Sequence, residues 1–133
     1  MKRKFNVILK SEDYESSLKR RICIDIDTAD QIRPYLLDEN PDEAELIFEK
    51  ILTLPKLYSD HYKKEYEKNG IVVSAFRFFN KRNTRIYCQE FSNEDGEFLI
   101  ICSEIFFKKS QKNNKANKPI IEKIANYEYE YKP

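Results

Sequence analysis

Residues 71–109 read IVVSAFRFFNKRNTRIYCQEFSNEDGEFLIICSEIFFKK. Three runs within them, IVVSAFRFF (71–79), TRIYCQEF (84–91) and EFLIICSEIFFKK (97–109), are dense in β-branched and aromatic residues, as strands are. The sequences between them, NKRN and SNEDG, are turn-forming and too short for a crossover. Strands joined this closely run antiparallel, so the stretch predicts a three-strand meander. The runs are apolar on both faces at 76–79, which calls for helices covering at least one side of the sheet.

Upstream, KFNVILK (4–10) and RRICIDI (20–26) have strand character as well. TADQIRPYLLDEN is helix-like, with Pro34 expected to break or restart the helix. The next segment is a plainer amphipathic helix. Asn40 or Asp42 can cap it, Asp42, Glu43 and Glu45 suit the positive end of its dipole, and Ala44, Ile47, Phe48 and Ile51 form one apolar stripe ending near Pro55. Residues 56–69 are polar and tyrosine-rich, compatible with a short helix or an extended connection. At the C-terminus, Asn117 can cap a helix with Pro119 in its first turn. Its stripe of Ile120, Ile124, Tyr127 and Tyr131 would lie on the sheet. The expected fold is α+β: an antiparallel sheet, made of the C-terminal meander and the N-terminal strand or strands, with two N-terminal helices and a C-terminal helix packed on it.

At 133 residues, 41% hydrophobic and 35% charged, the chain is sized for one domain, 1–133, with a single core. Cys23, Cys88 and Cys102 are widely spaced within apolar runs and lack CxxC spacing, so they read as buried thiols in a reducing compartment. The start, MKRKFNVILKSED, has too short an apolar run for a signal peptide, and no stretch approaches the roughly 20 apolar residues of a membrane span. A soluble, cytoplasmic protein without membrane contact is expected. The formal net charge of +1 conceals an asymmetry: residues 1–56 hold 10 Lys and Arg against 12 Asp and Glu, whereas residues 57–133 hold 14 against 11. In FFKKSQKNNKANKP (106–119) five lysines occur without one acid. Local charge sets the potential a phosphate meets, so the near-neutral total does not exclude a nucleic-acid ligand.

The succession of helices, AFRFF, TRIYCQEF and a hydrophobic strand running into FFKKSQKNNKANKPIIEKIANYEYEY resembles the RelE/ParE toxin superfamily, particularly its HigB-like, phage-derived branch. The resemblance covers residues 42–131, more loosely from 21, and leaves residues 1–20 as a possible N-terminal extension. It rests on an arginine-bearing strand, a second strand opening on arginine, and a third ending in a lysine-rich KKSQK segment before a terminal helix. It implies a RelE-like fold and the toxin of a type II toxin–antitoxin system: a metal-independent mRNA endoribonuclease, ribosome-associated, needing no cofactor. Its partners would be mRNA, the ribosome and a cognate antitoxin, a helix-turn-helix protein. The alternatives are a ParE-like toxin that binds gyrase and a non-catalytic antitoxin- or nucleic-acid-binding module.

Metal-free RNA cleavage needs a 2′-hydroxyl deprotonated, phosphorane charge stabilised and a leaving oxygen protonated. Arginine suits the second task, since its planar fork bonds two phosphate oxygens and stays charged. Arg77 and Arg85 are the candidates. If the turn comprises Lys81, Arg82 and Asn83, Arg77 lies opposite Tyr87 and both arginines share one face; a loop of even length would separate them. On residue chemistry alone, pairing of each arginine with a surface carboxylate such as Glu90 or Glu104 is the commoner outcome. The resemblance assigns Lys108, Lys109 and Lys112 to an RNA-facing rim, with Lys109 a candidate catalytic group; Lys115 and Lys118 continue the basic run, and Lys63 and Lys64 could extend the rim. For proton transfer, His61 reads as a surface residue, and Tyr129, outside the apolar stripe, is the freer C-terminal candidate. Tyr87 could stack on a base, although core packing is the commoner use of such a residue.

Overall fold

The computed structural model describes residues 2–80, 82–107 and 118–130. The fold is α+β, built on one mixed sheet of six strands in the order β1-β2-β6-β5-β4-β3. Strands β1 (Phe5–Lys10) and β2 (Arg20–Asp25) form an antiparallel pair. Helices α1 (Ala29–Pro34) and α2 (Pro41–Thr53) follow, and then β3 (Tyr62–Lys68), β4 (Ile71–Phe78), β5 (Thr84–Ser92) and β6 (Phe98–Phe107) run as a continuous antiparallel meander. Strand β6 closes against β2 in parallel, with Arg20 opposite Phe98 and Ile24 opposite Cys102. Helix α3 (Lys118–Ala125) completes the described elements.

Strand β2 is buried along nearly its whole length because β1 and β6 occupy its edges and packed layers occupy its faces. One face of the sheet presents Ile22, Ile24, Phe76, Phe78, Ile86 and Ile100 to α1 and to the α2 stripe of Ala44, Ile47, Phe48 and Ile51. The opposite face carries Val73, Ala75 and Tyr87 under Ile124 of α3, and Cys23, Leu99 and Ile101 under Tyr129. The helices thus split to both sides and seal a central sheet, as the two-sided apolar character of β4 requires.

Several expectations change. The meander has four strands, because residues 62–68 form the edge strand β3 rather than a connection. Its hairpin to β4 turns at Asn69 and Gly70, both at positive φ (55° and 81°), the geometry an Asn-Gly pair favours in a two-residue turn. Pro34 does not stop the helix: α1 passes directly into a wider π-helical turn, Tyr35–Glu39, before α2 restarts at Pro41. The expected N-terminal strands do form, with residues 5–10 at the edge, but the sheet is mixed rather than antiparallel, because β2 joins β6 in parallel. Helix α3 ends at Ala125, short of Tyr127; Tyr131, also assigned to its stripe, lies outside the described residues. No described helix is long and apolar enough to cross a membrane.

Candidate functional site

Arg77 of β4 lies directly opposite Arg85 of β5. The connection between their strands is five residues long rather than three, since Phe78 pairs with Thr84. This shifts the partner of Arg77 from Tyr87 to Arg85, but the loop length stays odd, so both arginines lie on the α3 face. The extra length comes from α2. Glu43, buried at the start of that helix, accepts hydrogen bonds from the amides of Phe79 (3.0 Å) and Asn80 (3.1 Å) and from Asn40 Nδ2 (2.7 Å). With those two amides bound to a carboxylate, they are not free to extend the ladder.

A third strand completes the group. The β3–β4 register shifts between Lys64 and Tyr66, a bulge that leaves Glu65 without a direct partner. Across it, consecutive residues both serve the α3 face. Tyr66 packs on the Val73–Ile124 cluster, and Glu65 Oε1 lies 3.7 Å from Arg77 Nη2 and 4.0 Å from Arg85 Nη1. Side-chain exposure is 24% for Arg77, 14% for Arg85 and 19% for Glu65. Among the described residues, Glu65 Oε1, Arg77 Nε and Tyr87 Oη are buried and make no hydrogen bond. Tyr87 is fully buried under α3, and burial pushes its phenol up against the opposing pull of Arg85.

Two guanidinium groups therefore flank one carboxylate, in a region where water screens incompletely. The balance is one positive charge in excess, with donor capacity unspent. A second anion beside this trio gains both the charge and the unused N–H groups. The carboxylates expected to neutralise the arginines are engaged elsewhere: Glu90 accepts from Tyr58 Oη (2.8 Å) and Tyr62 Oη, and Glu104 accepts from Tyr127 Oη.

Other predicted site residues distribute as follows. Lys63 is exposed opposite Ala75, on the arginine side of β3; Lys64 is exposed opposite Ser74 and pairs with Glu67 at 2.8 Å. Lys118 opens α3. Lys108, Lys109, Lys112 and Lys115 lie outside the described residues; in sequence they follow Phe107, at the end of the strand whose Phe106 is opposite Arg85.

Tyr129 is displaced from its expected role. It is 2% exposed, at the β2–β6 side of the sheet, where its hydroxyl donates to the buried Asp25 Oδ2 (2.7 Å) and meets Ser103 Oγ at 2.6 Å. Burial, reinforced by Asp25, raises its pKa. Tyr129 is a core post, while Tyr127 is the partly exposed tyrosine.

His61 proves closer to the arginines than a generic surface residue. Its carbonyl accepts from the Arg77 amide (2.7 Å), its Nδ1 lies 3.2 Å from the Arg77 carbonyl, and its ring meets Phe79 edge-on at 5.3 Å. Glu65 is not singled out by sequence, and His61 reads there only as a surface residue, because the polar, tyrosine-rich run 56–69 follows neither helix nor strand period. The Asn69-Gly70 pair was the signal that could have recovered them, since a hairpin there pairs 62–68 with 71–78.

Among the described residues no group of three or more His, Cys, Asp or Glu side chains is placed to hold a metal ion. Comparison with protein-family models, with curated proteins and with solved structures finds no match to this chain.

Proposed function

We propose that the protein is a RelE/ParE-type toxin acting as a metal-independent endoribonuclease on mRNA, with Arg77 and Arg85 as its phosphate clamp. The observation that carries the reading is the pairing of these two guanidinium groups across β4 and β5 around the single carboxylate of Glu65. In this reading the arginines hold the scissile phosphate and stabilise charge developing on the phosphorane. Glu65, close to both and free of hydrogen bonds at Oε1 among the described residues, accepts the 2′-hydroxyl proton. Lys63 and the lysines at 108, 109, 112 and 115 supply salt-sensitive attraction to the RNA backbone, Lys109 being the candidate for delivering a proton to the leaving oxygen. A helix-turn-helix antitoxin and the ribosome are the partners this reading carries.

The test is brief expression of the wild type, Arg77→Ala and Arg85→Ala, with growth followed and mRNA 5′ ends mapped. New ends at ribosome-occupied codons, lost in both variants, are expected. A DNA-damage response without new mRNA ends would instead place the protein with gyrase-binding toxins, and toxicity that survives both substitutions would remove the clamp.

A further inference from the structure

Phe79, 53% exposed, is the one aromatic among the exposed large apolar side chains of the described residues, and its position is not that of an ordinary surface phenylalanine. It lies two residues beyond Arg77, where β4 leaves the ladder. Its amide is fixed by Glu43 Oε2 at 3.0 Å. Its ring is braced edge-on by His61 at 5.3 Å, and His61 is itself tied to the Arg77 backbone through both its carbonyl and its Nδ1. A half-exposed ring whose amide is bound by Glu43 and which packs on an anchored His61 is an apolar plate presented at low entropic cost.

We infer that Phe79 is a nucleobase-stacking platform, taking the base of a nucleotide next to the phosphate held by Arg77 and Arg85. This rests on the clamp reading above and adds to it the part of RNA that a phosphate site cannot sense. Single-stranded nucleic acid is held by alternating charge and aromatic faces, and an aromatic plate two residues along the chain from one member of a cationic pair can supply both to neighbouring parts of one strand. Every base has a π-face, so the platform accepts all four. Preference follows stacking strength, with adenine bound a few-fold tighter than uracil.

The chain contains no tryptophan, which makes Phe79→Trp a reporter without background. The probes are a fluorescently labelled single-stranded 2′-O-methyl RNA oligonucleotide, which lacks the attacking hydroxyl and stays intact, and inorganic polyphosphate of matched charge. Phe79→Ala should weaken oligonucleotide binding by about 5- to 150-fold and leave polyphosphate binding unchanged, with Phe79→Trp retaining affinity. Fluorescence of the Phe79→Trp variant should be quenched by the oligonucleotide and not by polyphosphate. Oligonucleotide binding that depends on Arg85 but is unaffected by Phe79→Ala, or equal quenching by both probes, overturns the platform and leaves the clamp standing. Failure of the wild type to bind either probe overturns both.

Discussion

Replacing Glu65 by Gln keeps the shape of the side chain and removes the one negative charge between Arg77 and Arg85. At separations of 3.7 and 4.0 Å, each ion pair has a gross Coulomb energy of about 4 kcal/mol at an effective dielectric of about 20. Neither contact is of hydrogen-bond length, and all three side chains keep some exposure to water, so screening and the desolvation already incurred leave about 1–3 kcal/mol net. The variant also confronts two like charges across a strand pair without a counterion. At about 2–5 °C per kcal/mol for a domain of this size, the melting temperature should fall by about 2–15 °C in low salt. The same substitution strengthens the anion site, so adding the 2′-O-methyl oligonucleotide should raise the melting temperature of Glu65→Gln more than that of the wild type. RNA cleavage should nevertheless be lost, because the 2′-hydroxyl has lost its base. Thermal melts with and without oligonucleotide, at two ionic strengths, read the first two effects. An unchanged melting temperature together with an oligonucleotide response equal to the wild type's would refute the shared-carboxylate argument.

Three further outcomes are expected. Tyr129→Phe removes a hydroxyl bonded to buried Asp25 and should cost about 1–3 kcal/mol in denaturant unfolding, with RNA cleavage intact at temperatures where the variant is folded; lost cleavage in a folded variant would restore Tyr129 to the site. Glu43→Gln should speed hydrogen exchange at the Phe79 and Asn80 amides selectively, since the ionised acceptor holding both becomes a neutral one; uniform protection would show that the turn holds itself. Burial raises the phenol pKa values of Tyr35, Tyr58, Tyr62, Tyr87, Tyr127 and Tyr129 above their usual 10. The unfolded chain therefore releases these protons first, so the phenols' contribution to stability should be constant up to about pH 10 and fall as pH rises beyond it, read as melting temperature against pH alongside phenolate absorbance.

The strands of the C-terminal meander were legible because their residues are β-branched and aromatic on both faces, and α2 because its stripe repeats at helical spacing. Strand β3 was not, since YKKEYEK is an exposed edge whose charged residues follow neither period. The shared face of the arginines could be reached by counting loop residues, yet their register could not. It depends on Glu43, far away in sequence, binding the two amides after Phe78. Glu65 joins the arginines through a bulge, and a bulge breaks the alternation from which faces are read. A helical stripe continued past Ala125 leaves Tyr129 outside the core, whereas a short bridge to Arg3 rather than a helix carries the chain there and buries it.

The parallel seam between β2 and β6 bears on the order in which the protein assembles. Strands β3 to β6 follow one another through short turns, so their pairings close small loops at little entropic cost. Joining Arg20 to Phe98 requires closing most of the chain into a ring, and loop-closure entropy places that step late. The arginine pair and Glu65 belong to the meander, whose register draws on Glu43 of α2 but not on β1 or β2, so their geometry can be laid down before the N-terminal hairpin docks. Substitutions at the seam, such as Ile22→Ala, should then speed unfolding far more than they slow folding, and a nascent chain should carry the clamp in rudimentary form before its sheet is closed.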